Sequence, residues 1–176
     1  MIGISFNKKE FEYDAYTLVK AFYPKEDIEM YGTWEKEGPK DYEKLVSISY
    51  GDQVVIGIHT REQTLEDSAP YDEEEDRKKR KNTLKQILYK LLVQETGHTL
   101  PWGNLTGIRP VKIAMGLIEE GMTNAQAADY MRNTYFTSNE KTALAIAIAN
   151  RERDILKDID YQKGYSLYVG IPFCPS

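Results

Sequence analysis

The clearest hydrophobic pattern in the chain lies between Leu45 and His59. Residues 45–50 and 53–59 are two runs rich in Val and Ile on either side of Gly51-Asp52, which reads as a β-hairpin. Glycine at the first turn position predicts a type II′ turn with a positive φ at Gly51. Ile2, Ile4 and Phe6 alternate with Gly3 and Ser5, the period of a strand with one covered face. Residues 28–33 give a weaker strand signal, interrupted by charge. Between them, residues 10–23 space Phe11, Leu18 and Phe22 at helical intervals and stop before Pro24, so a helix is predicted there. Residues 36–40, with Gly38-Pro39, read as a loop.

The second half of the chain has a helical period. Leu84, Ile87, Leu88, Leu91 and Leu92 form one apolar stripe, predicting a long helix over 71–95 that Gly97 stops. Residues 99–110 read as a loop, and a helix begins with Pro110 in its first turn, where the missing N–H costs nothing. Ile113, Leu117 and Ile118 face inward, and Gly121 closes that helix. Thr123-x-x-Gln126 and Thr137-x-x-Glu140 are capping boxes that open two more helices. The last is expected to run to about Leu156 with Leu144, Ala147, Ile148 and Ile155 inward. Finally, residues 167–171 are an apolar run without alternation, the pattern of a strand covered on both faces. Pro172 stops it, leaving Phe173 and Cys174 just past its carboxyl end.

These elements predict an α+β protein in three parts: a strand-and-helix unit over 1–95, a helical region over 96–163, and a terminal strand over 164–176. Charge changes the picture little. Net charge is −5 across 176 residues, which gives no general attraction to nucleic acid or anionic membrane. One cysteine excludes a disulfide scaffold and points to a reducing, cytoplasmic setting. No signal peptide is visible, and no run approaches the ~20 apolar residues that span a bilayer.

Several groups carry candidate chemistry, each with a plainer reading beside it. Asp72 to Asp76 are five acids followed by five bases, Arg77 to Lys81. The basic run is a candidate nucleic-acid patch. It also pairs with the acids at i,i+4, as Glu73 with Arg77, Glu74 with Lys78, Glu75 with Lys79 and Asp76 with Arg80, which accounts for it as a solvated helix start. Arg109 and Lys112, with the free N–H groups after Pro110, are placed to hold an anion, or form a helix start packed by Trp102 and Leu105. The helix–turn–helix spacing around Gly121-Met122-Thr123 suits a DNA reader. However, Arg132 is the sole cation over 124–134, and alanines there favour packing. His59 and His98 have no partner constellation. Cys174 by residue type is a small buried hydrophobe, and one thiolate holds neither zinc nor an iron–sulfur cluster.

The context of that cysteine adds a reading. Tyr168-Val169-Gly170-Ile171-Pro172-Phe173-Cys174-Pro175 resembles the start of the radical S-adenosylmethionine enzymes of the oxygen-independent coproporphyrinogen III oxidase family. Trp102-Gly103-Asn104-Leu105-Thr106-Gly107-Ile108-Arg109-Pro110-Val111-Lys112 resembles a segment of the branch that carries a long N-terminal extension, the coproporphyrinogen dehydrogenase-like proteins. The resemblance implies that residues 164–176 begin a (β/α) barrel. It makes Cys174 the first of three ligands to a [4Fe–4S] cluster and puts Tyr168 near bound S-adenosylmethionine. It further implies oxidative decarboxylation of the tetrapyrrole coproporphyrinogen III to protoporphyrinogen IX in haem biosynthesis, with an electron donor the sequence does not name. Gly170 stands where the better-known branch has a histidine, which leaves the substrate open. The other two cysteines would lie past Ser176, so the 176-residue chain is expected to be inactive alone and to bind neither cofactor. The alternatives are a nucleic-acid-binding module and a protein-interaction module.

Overall fold

The computed structural model describes residues 1–34, 41–107, 109–159, 164–165 and 167–170. The alternating Ile2, Ile4 and Phe6 place β1 (Ile2–Phe6) at an interior position of a five-stranded sheet of order β2-β1-β3-β4-β5. β1 runs parallel to both β2 (Ile28–Gly32) and β3 (Lys44–Tyr50), while β4 (Gln53–Thr60) and β5 (Thr64–Pro70) continue antiparallel. The parallel β1–β2 pair needs a crossover, and α1 (Glu12–Phe22) supplies it. In register, Ile4 stands opposite Val46 and Phe6 opposite Ile48, and these face Ile58 and Ile56 in turn. Two apolar rows therefore cross three strands, and all six side chains are buried. α1 and α2 (Arg77–Thr96) cover them with Leu18, Val19, Leu84, Leu88 and Leu92.

Two sequence expectations for this unit change. The hairpin pairs Tyr50 with Val54, so three residues make the connection and Gly51 does not take a positive φ. The reason lies in the next strand. Gln53 is already in register with Pro70 of β5, while its carbonyl accepts from the Gly51 N–H at 3.0 Å. β5 itself carries no hydrophobic run. Only Leu65 and Ala69 of Thr-Leu-Glu-Asp-Ser-Ala-Pro are apolar, and they lie opposite Ile58 and Val54. Its acids and terminal proline suit an edge, where bare backbone would otherwise recruit another chain.

α2 starts later than its charge pattern suggests. Asp76 is the N-cap, accepting from the N–H groups of Lys78 and Lys79, so the preceding acids stand outside the helix. Of the four expected i,i+4 pairs only Glu75 with Lys79 forms. Glu73 instead holds Lys8 at 2.6 Å. Arg80 donates to Glu10 at 2.6 Å and to the Tyr71 hydroxyl at 2.9 Å. Tertiary partners a strand away outcompete the local ones.

Helices α3 (Pro110–Glu119), α4 (Asn124–Tyr135) and α5 (Asn139–Leu156) surround a second apolar cluster. The Thr123/Gln126 capping box is present in both directions. The second expected box is displaced by one residue: Ser138 caps α5 by accepting from the Lys141 N–H. Thr137 turns inward to a buried hydroxyl pair with Thr142 at 2.7 Å. The inward face of α5 is also different. Thr142, Ala145, Ile146 and Ala149 are buried, whereas Leu144, Ile148 and Ile155 are 44%, 37% and 62% exposed. Ala114, Ala127, Ala145 and Ala149 are completely buried. This cluster closes by near approach of small residues, which the larger stripe on α5 would prevent.

Residues 167–170 form neither strand nor helix and pair with neither sheet edge, and Leu167, Tyr168 and Val169 are 82%, 92% and 74% exposed. The apolar run expected to be a covered strand is uncovered over its described part. Ile171 and everything after it, including Cys174, lies outside the described residues.

Candidate functional site

The segment 102–112 is where the sequence pointed to chemistry, and the structure first explains it as a joint. Gly103 has φ 58°, and a Cβ there would lie against the backbone carbonyl oxygen of Tyr135 and 2.7 Å from that of Phe136. Glycine is therefore required for the loop to reach the carboxyl end of α4. Asn104 is 1% exposed. Its backbone N–H donates to the Tyr135 carbonyl at 2.9 Å, and its side-chain amide reaches the Thr134 carbonyl. Gln86 on α2 also donates to Thr134, and Tyr89 stacks on Phe136 at 5.2 Å. These contacts tie the sheet unit to the helical one.

A cleft opens beside this joint. Its floor is Ile113, Gly116 and Leu117 of α3 with Tyr130 and Tyr135 of α4, its rim carries Lys78, Arg109 and Lys112, and its volume is about 490 Å³. A smaller recess of about 200 Å³ shares Lys78, Ile113 and Tyr135 with it and runs inward past Lys81 and Asn82 to Lys85 and Thr106. Arg109 and Lys112 thus meet three lysines of α2, a convergence that the sequence does not show. Tyr135 is buried beside Tyr130, with ring centroids 6.0 Å apart, and burial pushes its phenol up from the usual range.

Lys85 is the residue that the sequence reading passed over. It lies on the face of α2 that carries Leu88, Tyr89 and Leu92, and it is 6% exposed. Its ammonium donates to the Thr106 hydroxyl at 3.0 Å, which also shares a hydrogen bond with Thr17 at 2.9 Å. Burial drives its pKa down from 10.5 to about 8, opposed by the charge of Asp14. A lysine three and seven places before core leucines was the available signal.

The basic run 77–81 does not make one patch. Arg77 lies over the Phe11 ring, Lys79 pairs with Glu75, Arg80 with Glu10, and Lys81 approaches Asp14 at 3.9 Å. Only Lys78 of the five turns to the cleft without an ion-pair partner among the described residues. His59 bridges Ser47 and Thr64 across three strands, and His98 lies against Phe22. Among the described residues, no group of His, Cys, Asp or Glu is placed to hold a metal ion, and no helix is long and apolar enough to cross a membrane. Tyr168 is exposed, and Cys174 lies outside the described residues.

No family model matches the chain, and no solved structure does. A curated protein is similar: the oxygen-independent coproporphyrinogen-III oxidase-like protein HemZ of Bacillus subtilis (strain 168), 34% identical over 148 residues. The match takes in 80% of this chain but 30% of that protein, so the chain spans less than a third of its relative. On that similarity the chain belongs, as an N-terminal part, to the oxygen-independent coproporphyrinogen-III oxidase-like family.

Proposed function

We propose that the protein to which this chain contributes is a radical S-adenosylmethionine oxidoreductase that decarboxylates a coproporphyrinogen-type tetrapyrrole oxidatively. The observation that carries the reading is the similarity to HemZ over 80% of the chain. The Tyr168–Pro175 motif supports it independently, because its one cysteine stands where that chemistry needs its first cluster ligand. When bound, a [4Fe–4S] cluster would supply the electron that cleaves S-adenosylmethionine.

The residues of this chain do not by themselves fit such a cluster. It needs three or four thiolates, and the chain has one cysteine, Cys174. On this reading the described residues contribute a folded platform: the sheet unit, the helical unit and the joint at Gly103 and Asn104 that fixes one to the other. Residues 164–176 lead from α5 into the catalytic part, with Tyr168 on the S-adenosylmethionine side. The chain alone is inactive.

Two measurements test this. Anaerobic reconstitution of the 176-residue chain with iron and sulfide leaves no stoichiometric iron–sulfur absorbance; a full cluster in this chain would defeat the assignment of Cys174 as one ligand of three. In the full-length protein, Cys174→Ser removes the cluster and the reductive cleavage of S-adenosylmethionine. A full-length protein that forms its cluster equally well with serine at 174 would refute the reading.

A further inference from the structure

The cleft between α2, α3 and α4 has no part in the cluster chemistry, and its charge runs against that of the molecule. Overall, 28 acids outnumber 23 Lys and Arg. Around the cleft and its recess the balance reverses: Lys78, Lys81, Lys85, Arg109 and Lys112 face two carboxylates, Asp14 and Glu120. Among the described residues, Lys78, Arg109 and Lys112 have no ion-pair partner, and Asp14 approaches Lys81 at 3.9 Å. At the inner end, Lys85 has the Thr106 hydroxyl as its only hydrogen-bond partner among the described residues. A buried ammonium with two of its three donors unassigned is retained at a cost in stability, which is the behaviour of a binding group. The amino end of α3, whose Arg109 cap makes no side-chain hydrogen bond, adds positive backbone dipole at the same rim.

The floor has the opposite character. Ile113, Leu117, Tyr130 and Tyr135 are apolar or aromatic, and an added Cβ at Gly116 would meet nothing within 4 Å. Missing that one side chain leaves a flat opening in the middle of the helix. A volume of about 490 Å³ lies in the range of small-molecule sites. Cations on the rim and in the recess, an open flat floor and phenols at the side together select for shape as well as charge.

We propose that this cleft binds an organic anion with a flat apolar body and at least two carboxylate or phosphate groups, the body lying over Gly116 and the anionic groups held by Lys78, Arg109, Lys112 and, in the recess, Lys85. Porphyrin carboxylates and nucleotide phosphates share this chemistry. The site stands on the geometry of the described residues and holds whether or not the catalytic reading does.

The test is equilibrium binding to the 176-residue chain by fluorescence or calorimetry, with coproporphyrin III, ATP and inorganic phosphate as separate probes. The expected result is saturable binding of one porphyrin or one nucleotide per chain, weakened by salt. Whichever binds names the source of the anion. Arg109→Ala with Lys112→Ala weakens it by more than about tenfold, as loss of paired charge contacts does. Gly116→Leu fills the floor and abolishes it, while a leucine favours the helix and keeps the fold, which circular dichroism verifies. Lys25→Ala with Arg61→Ala, both exposed and outside the lining of the cleft and its recess, leaves it unchanged. Absence of saturable binding by either organic probe overturns the proposal. So does binding that the Gly116 and Arg109/Lys112 variants leave intact, or inorganic phosphate binding as tightly as the organic anions.

Discussion

Replacing Lys85 with methionine makes the protein more stable, and the gain fades as pH rises. Lys85 is 6% exposed and its pKa stands at about 8 instead of 10.5. At ~1.36 kcal/mol per pH unit, the fold holds the charged form about 3 kcal/mol less favourably than water does. Methionine is of similar length and apolar, so it removes that penalty while forfeiting the hydrogen bond to Thr106, worth about 1 kcal/mol. The Thr106 hydroxyl keeps its bond to Thr17, so no buried group is orphaned. The net gain at pH 7 is about 2 kcal/mol, which in a chain of this length raises Tm by roughly 4–8 °C. The folded pKa lies below the unfolded one. Between about pH 8 and 10.5 the unfolded chain therefore holds a proton that the native state has lost, and the parent gains stability across that window. The variant has no such gain, so its advantage shrinks to near zero by about pH 10. Burial raises the pKa of Tyr23 and Tyr50, but these phenols titrate equally in both proteins and cancel in the difference. Urea denaturation of parent and variant at several pH values measures it directly. A variant less stable than the parent at pH 7, or a gain that is constant with pH, would refute the argument that Lys85 is buried as a costly cation.

Gly103→Ala forces a Cβ against the Tyr135 and Phe136 carbonyls at a positive φ, and it should cost more than about 3 kcal/mol by thermal melting, beyond the ordinary range for a single change. A melt shifted by only a degree or two would mean that the joint adapts. Lys44→Met leaves the Glu95 carboxylate, 13% exposed, with the Tyr23 hydroxyl as its remaining hydrogen-bond partner among the described residues and should cost about 2–3 kcal/mol. Adding Glu95→Leu should recover most of that loss, and failure of the double variant to recover would show that the pair acts through packing instead.

Elements with a strong period were legible in the sequence, and elements held by partners were not. β1, the β3–β4 hairpin, α1 and the buried half of α2 follow from spacing alone, because one face of each had to be covered. β5 could not be read that way, since its two apolar residues matter only when Val54 and Ile58 lie opposite them. The inward face of α5 was misjudged for a related reason. Periodicity favours Leu144, Ile148 and Ile155, but the face turned to α3 and α4 is that of Thr142, Ala145, Ile146 and Ala149, where two alanines allow close approach. Charge was the least legible property, because Arg80 and Glu73 choose Glu10 and Lys8, some seventy and sixty-five residues away. At the candidate site, Arg109 and Lys112 were visible as cations beside a helix start. The lysines that complete the cleft belong to α2, and only the fold brings them there.

The place of β1 has a practical consequence. β1 lies inside the sheet, bonded on one side to β2 and on the other to β3. Its neighbours come from residues 28–32 and 44–50, so β1 is bonded on both sides only when both segments are in place. The Met1 ammonium group closes on Glu26 and Glu43, each at 3.3 Å. Trimming six residues from this end would split the sheet into a lone strand and a three-stranded remnant, whereas deleting the whole of β5 would merely narrow it. Affinity tags and fusions for this protein belong elsewhere.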